Sequence, residues 1–501
     1  MRSFARFAFI PACLALSLSF SSCGTSKTTN AGSDPLTDLR NENRAPRHRV
    51  AMVDAARAKA QGDPQLLAAT IQTYKDIAWS PRENPELRLA VVTAMFNDPD
   101  PKVVEDARAM AKLMLPRERE RAMVVYISKT AGDRGWTDFI PSLIRSYSRP
   151  MKNVEDADRA EAVAIKSLAG GRSLEDEIFS VFMNPPTMPE SYGMDWSKRF
   201  RADAWDLLGR LDKDGTRRMQ LLSGESNMIP AGDAVIADMR RAIKELRTLP
   251  VTGEEINWLA SLVDESSKQN AAWWRETSSA VKAVESHAPF RMRHLEAIRW
   301  SAQNRASWLT LNREQLLAEL RVRLDARDMH VRSAGFTNRT NENLEDWADE
   351  LKWPDVLTIL VADDMLQQPD IRASIFEHAK LDRLDTTTEY GGIITAYPTI
   401  DKGRARITLY PPRPGQRDGD EKFVASDSML AASDCAMAHY HMHVQKVRNA
   451  AYAGPSDGDL TYAARFGRTC IVFTSVNENE MNADLYQPDG VIIDLGSFKK
   501  P

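Results

Sequence analysis

Residues 438–460 read AHYHMHVQKVRNAAYAGPSDGDL and hold three of the chain's eight histidines, His439, His441 and His443, at alternate positions. Side chains along an extended strand alternate between its faces, so the three histidines project to one side. Ala438, Tyr440, Met442 and Val444 project to the other and suit packing on a core. A period of two makes this segment a strand and sets the class of the C-terminal region. Residues two apart on one face have Cα atoms about 6–7 Å apart, which lets two imidazoles converge on one ion. His439 and His443 are roughly twice as far apart. One adjacent pair, His439 with His441 or His441 with His443, is therefore a candidate chelate. A solvated polar strand edge is the competing reading. Ser456 and Asp459 follow with the spacing of a capping box ahead of the helix-forming run LTYAARFG.

Other short β-like runs surround this strand: EYGGIITAYPTI, RARITLYPP, TCIVFTSV, NADLY and VIIDLG. Turn residues bound them. In QPDG, residues 487–490, Pro488 suits the second position of a turn and Gly490 the fourth, joining the last two strands. Helical patterns precede the first strand (PDIRASIFEHAKL) and follow the histidines (SDGDLTYAARFG). Residues 354–501 are thus expected to form an α+β domain large enough to fold alone.

Upstream the period is helical. In ENPELRLAVVTAMFNDPDPKVVEDARAMAKLML, Leu87, Leu89, Val91, Val92 and Met95 form an apolar face. NDPDP then supplies caps at Asp98 and Asp100 and an early proline, Pro101, in the next helix. Similar units recur over residues 49–225. Short helices, Asp/Pro turns and a spacing near 35–45 residues per pair resemble HEAT-like repeats, with an irregular bundle as the alternative. Either implies a scaffold or a surface for a protein partner. Residues 226–353 are also helical and carry seven of the eleven tryptophans: Trp258, Trp273, Trp274, Trp300, Trp308, Trp347 and Trp353. Core packing accounts for them more simply than an aromatic ligand groove.

The N-terminus, MRSFARFAFIPACLALSLSFSSCG, runs positive, apolar, then small, the order of a secretory signal. Its ending, Ser21-Ser22-Cys23, resembles a bacterial lipoprotein signal, with Phe20 where that pattern prefers Leu. The resemblance implies removal of residues 1–23 up to a lipidated Cys23, attachment to a membrane through that lipid, and residence in the cell envelope, at the periplasmic face or the outer membrane. A plain signal peptide is the alternative. Residues 24–48, small and polar at first, are expected to be a flexible tether. Cys435 and Cys470 are either a disulfide in an oxidising compartment or two buried thiols. A net charge of −4 and no basic stripe give no reason to expect nucleic acid as a partner.

One further element joins the histidines. TTTEYGGII, residues 386–394, places Glu389 before a strand that opens with two glycines, where an acid can stand close to the backbone and reach into a cleft. Glu389, then His-x-His 52 positions on, then Ser-x-x-Asp, resembles the JAMM (MPN, JAB-type) metalloprotease domain over residues 354–501. The resemblance implies a catalytic zinc (Zn2+) held by His441, His443 and Asp459. Glu389 would be the general base and Ser456 the donor to the oxyanion. It makes the chain an expected zinc metallopeptidase or isopeptidase acting on a protein or peptide. Val444 replaces the proline that usually follows the second histidine. The 13-position step from His443 to Ser456 is longer than the family's loop. These departures keep open a non-enzymatic scaffold with an inactive JAMM-like domain. The expected architecture is an all-α, solenoid-like N-terminal region followed by an α+β, JAMM/MPN-like C-terminal domain.

Overall fold

A computed structural model describes residues 34–501, apart from 152–153, 188–194, 224–228, 230–231, 265, 285–289, 335–340 and 398–402. The signal segment and Cys23 lie outside the described residues. Among those described, no helix is long and apolar enough to cross a membrane. The chain divides into two compact units, the first ending at Ala111 and the second running from Lys112 to Pro501.

The first unit is helical. Helices Pro35–Arg40, Pro46–Lys59, Pro64–Trp79 and Pro85–Phe96 each open on proline, whose fixed φ and missing N–H suit the first helical position. Asp34, Asp63 and Asn84 cap three of them. Tyr74, Leu87, Val91 and Met95 are fully buried where the helices meet. The tether expected to reach residue 48 instead gives way to helix at Pro35. Asp34 caps Thr37 N at 3.2 Å, and Leu36 and Leu39 are buried, an apolar pair too short to register against the polar residues around it.

The second unit joins helices to a sheet without a break at residue 353. The helix Trp353–Leu366, WPDVLTILVADDML, is buried along almost its whole length, as expected of a helix apolar on all sides. It packs against the helices Leu295–Asn304 and Arg313–Leu324. The boundary expected between 353 and 354 therefore falls inside a core: the change of period marks where strands begin, not where a domain does. The tryptophans are part of this core, with Trp258, Trp273, Trp274, Trp300, Trp308 and Trp353 buried.

The sheet comprises β1 (Gly391–Thr395), β2 (Arg406–Leu409), β3 (Ala438–His443), β4 (Cys470–Asn477), β5 (Glu480–Tyr486) and β6 (Ile492–Lys499), in the order β2-β1-β3-β4-β5-β6. Only β3 and β4 are parallel, and the helix Asp457–Phe466 is the crossover between them. Gly490, at φ 89°, closes the β5–β6 turn by donating its N–H to Gln487 O at 3.0 Å. Gly392 permits the close packing of β1: a Cβ there would lie 1.9 Å from Thr408 O. Tyr440 and Met442 of β3 point to one face, where Tyr440 Oη lies 2.9 Å from His378 Nδ1 of the helix Pro369–Arg383. The opposite, histidine face is also buried throughout, so β3 is a central strand and not a solvated polar edge. Cys435 and Cys470 are free, buried thiols.

Candidate metal centre

β3 presents His439, His441 and His443 on one face, and neighbouring elements bring carboxylates to the last two. The Nε2 atoms of His441 and His443 lie 3.2 Å apart. Asp459, in the first turn of the helix Asp457–Phe466, places Oδ1 3.3 Å from His441 Nε2 and Oδ2 3.9 Å from His443 Nε2. Glu389, just before β1, places Oε1 4.0 Å from His443 Nε2. The ligating atoms of Glu389, His441 and His443 all fall within 4.8 Å of one another, and the three residues are buried. Such a set can hold a metal ion. Separations of 3.2 and 3.3 Å are close to the edge of a tetrahedron built on bonds of about 2.0–2.1 Å, roughly 3.3 Å.

The rings are oriented from behind. His443 Nδ1 lies 3.0 Å from Tyr452 O, which fixes the Nδ1–H tautomer and leaves the Nε2 lone pair facing His441. His441 Nδ1 lies 3.3 Å from Tyr486 Oη, and the Phe423 ring lies nearly parallel to that of His441. His439 points elsewhere: its Nδ1 lies 2.8 Å from Tyr462 Oη, and among the described residues it joins no ligand set. The two adjacent pairs left open by strand spacing are thus separated by what stands opposite them.

The segment between His443 and Ser456 holds the site together. Gln445 Nε2 donates to Glu389 Oε1 and to Asp420 O, both at 2.7 Å. Asn449 Nδ2 donates to His443 O at 3.1 Å and to Gln445 Oε1 at 3.0 Å. Tyr452 supplies the carbonyl behind His443. Arg332, from the segment ahead of the Trp353 helix, donates through Nη1 to Gly454 O at 2.9 Å and Tyr452 O at 3.4 Å. The N–H groups of Ser333 and Ala334 donate to Ala451 O at 2.9 and 2.8 Å. Asp484 accepts from Gly454 N at 2.9 Å. Gln445 and Asn449 stand in the long step from His443 to Ser456, where no motif singled them out. Arg332 has no sequence signal at all.

Ser456 and Asp459 form a capping box: Ser456 Oγ accepts from Asp459 N at 3.4 Å, and Asp459 Oδ2 accepts from Ser456 N at 2.7 Å. The cap leaves Asp459 Oδ1 directed at His441, so helix start and candidate ligand are the same structure.

Electrostatics separates the two acids. Burial opposes ionisation of Asp459, but His441, His443 and the Ser456 N–H together outweigh it and hold the carboxyl well below its usual range. Burial pushes Glu389 up to about 8, with His441 opposing and Asp459 adding to the rise. Burial and the neighbouring His441 hold His443 down at about 3, keeping its lone pair available. Asp459 is thus held as an anion, whereas burial favours the protonated form of Glu389. All of these groups line a cleft of about 720 Å³, a volume suited to a small ligand or a peptide segment.

No protein-family model, no curated protein and no solved structure matches this chain.

Proposed function

We propose that this protein is a zinc-dependent amide hydrolase of the cell envelope, a metallopeptidase or isopeptidase tethered through a lipid on Cys23. The observation that carries the reading is the convergence of His441, His443, Asp459 and Glu389, drawn from three separate elements, on one buried point of a cleft. Two imidazole nitrogens and a carboxylate are the donor set of a catalytic zinc, with a fourth position left for substrate or water. Zinc held by His441, His443 and Asp459 would polarise the scissile carbonyl and lower the pKa of water at the site.

The chain's own groups supply the rest. Glu389 accepts the proton of the attacking water as its oxygen bonds to the carbonyl carbon. The same carboxyl returns that proton to the amine nitrogen as the C–N bond breaks, and its position just before the β1 glycines sets its reach. Gln445 fixes which way the Glu389 carboxylate points. Ser456 lines the cleft and offers its hydroxyl to the developing oxyanion, with the positive end of the Asp457–Phe466 helix behind it. The helical remainder of the chain offers surface for a protein partner.

Metal analysis of the purified mature protein tests the reading. Wild type is expected to carry about one zinc per chain and to cleave peptide or isopeptide bonds. Asp459→Ala is expected to lose the metal. Glu389→Gln is expected to keep it and lose activity by about 10²–10⁴-fold, the range of general acid–base catalysis. Absence of zinc from wild type would end the proposal.

A further inference from the structure

Charge around the cleft departs from charge over the whole chain. The sequence carries a net charge of −4. Beyond the proposed metal ligands and the proposed base Glu389, however, the charged residues lining the cleft are Arg332, Lys422, Lys446 and Arg465 against Glu421. Asp418 accompanies Lys422 and Glu254 accompanies Arg465, and neither acid lines the cleft.

The cations surround the reacting groups. The Lys422 backbone carbonyl accepts from Glu389 N, which puts Lys422 beside the proposed base. Lys446 is exposed and adjoins Gln445, the residue that grips Glu389. Arg332 holds the carbonyls behind His443 on the other side. Arg465 lies near the far end of the helix that Ser456 caps, with its side chain 61% exposed. A bound divalent ion would balance Glu389 and Asp459, leaving an excess of positive charge in the cleft lining, four cations against Glu421.

Resting on the hydrolase reading above, we propose that the site takes anionic peptides, with carboxylate side chains or a terminal carboxylate close to the scissile amide. A cleft lined by one sign of charge in low-dielectric walls concentrates the opposite sign and raises on-rates by about 10–10³-fold. A peptide is favoured over a nucleic acid because the constellation beneath the cations is one for amide hydrolysis.

The test is fluorescence anisotropy with three labelled decapeptides, alternating Ala with Glu, Gln or Lys, and a labelled single-stranded DNA 10-mer. The protein is full-length mature Glu389→Gln loaded with zinc, so that nothing is cleaved. The Glu peptide is expected to bind at least about tenfold tighter than the Lys peptide at low ionic strength, the gap closing as salt rises. Lys422→Glu/Lys446→Glu is expected to abolish or invert that order with its thermal transition unchanged. Equal binding of the peptides, tighter binding of the Lys peptide, binding of none, or tighter binding of the DNA would each overturn the proposal. The hydrolase reading fails separately, if zinc-loaded wild type binds the Glu peptide with the expected preference yet cleaves none of the panel.

Discussion

His443 Nδ1 lies 3.0 Å from the carbonyl oxygen of Tyr452, so a residue of the long segment after β3 sets the direction in which a β3 histidine presents its other nitrogen. Tyr452 O is in turn held by Arg332. Removing the guanidinium frees the carbonyl to rotate and leaves His443 without a fixed partner. Loss of such outer partners typically costs 10–100-fold in metal affinity. Arg332→Ala is expected to weaken zinc binding by about that factor, measured by competition with a chromophoric chelator. Unchanged affinity would show that Tyr452 O is held well enough by the rest of the loop.

Gln445 donates to Glu389 Oε1 at 2.7 Å, and its side-chain hydrogen bonds go to Glu389, Asp420 and Asn449 rather than to an imidazole. It therefore separates metal retention from proton transfer. Gln445→Ala is expected to keep zinc at one per chain while slowing amide hydrolysis by about tenfold or more, since catalysis requires the base within hydrogen-bond reach of its proton. Loss of zinc together with activity would instead make Gln445 part of the support for the metal.

What could be read from the sequence follows from range. Alternation over 438–444 fixed the strand and its two faces, because strand period is local. Ser456 and Asp459 announced a helix start through a three-residue spacing that is also local. That the histidine face is covered could not be read: three histidines in five residues look solvated, and the covering elements come from 389, 423, 459 and 486. The contacts of segment 444–454 could not be read either, because most are made by backbone carbonyls and amides, whose partners carry no sequence pattern. Arg332 lies 111 positions before His443 and was assigned to another domain. The same limit explains the misplaced boundary at 353: the sheet's helical neighbours are helical in period and so sorted with the helices upstream.

A chain starting at residue 354 is expected not to fold as a unit. Arg468 is buried with its guanidinium 3.3 Å from the Trp258 ring centroid, and Trp258 Nε1 donates to Asp434 O at 2.8 Å. On the far edge, Ser497 N donates to Asp328 O and Asp494 N to Glu342 O, both at 2.8 Å. Truncation strips an apolar cover from a buried charge and opens the β6 edge. Residues 354–501 are expected to aggregate or to lack near-ultraviolet circular dichroism, whereas 112–501 shows one cooperative urea transition. A cooperative transition in the shorter chain would refute this.

Asp206 gives the pH dependence of stability a definite sign. Burial pushes its carboxyl up to about 6, Gly253 N opposes by donating to Oδ1 at 2.7 Å, and Asp203 and Glu254 add to the rise. Its unfolded value is near the ordinary 3.8 of an aspartate. Between about 4 and 6 the folded chain binds more protons than the unfolded one, so this contribution to stability is complete below about 4 and is lost as pH rises to about 6. Two pKa units correspond to at most about 3 kcal/mol, less after relaxation around a partly accessible group. Asp206→Asn keeps an acceptor for Gly253 and removes the charge. It is expected to match wild type in urea denaturation at pH 4 and to exceed it by roughly 1–3 kcal/mol at pH 7.5. A variant less stable than wild type at pH 7.5 would mean that the ionised carboxylate, charge-assisted by Gly253, outweighs the cost of burying it.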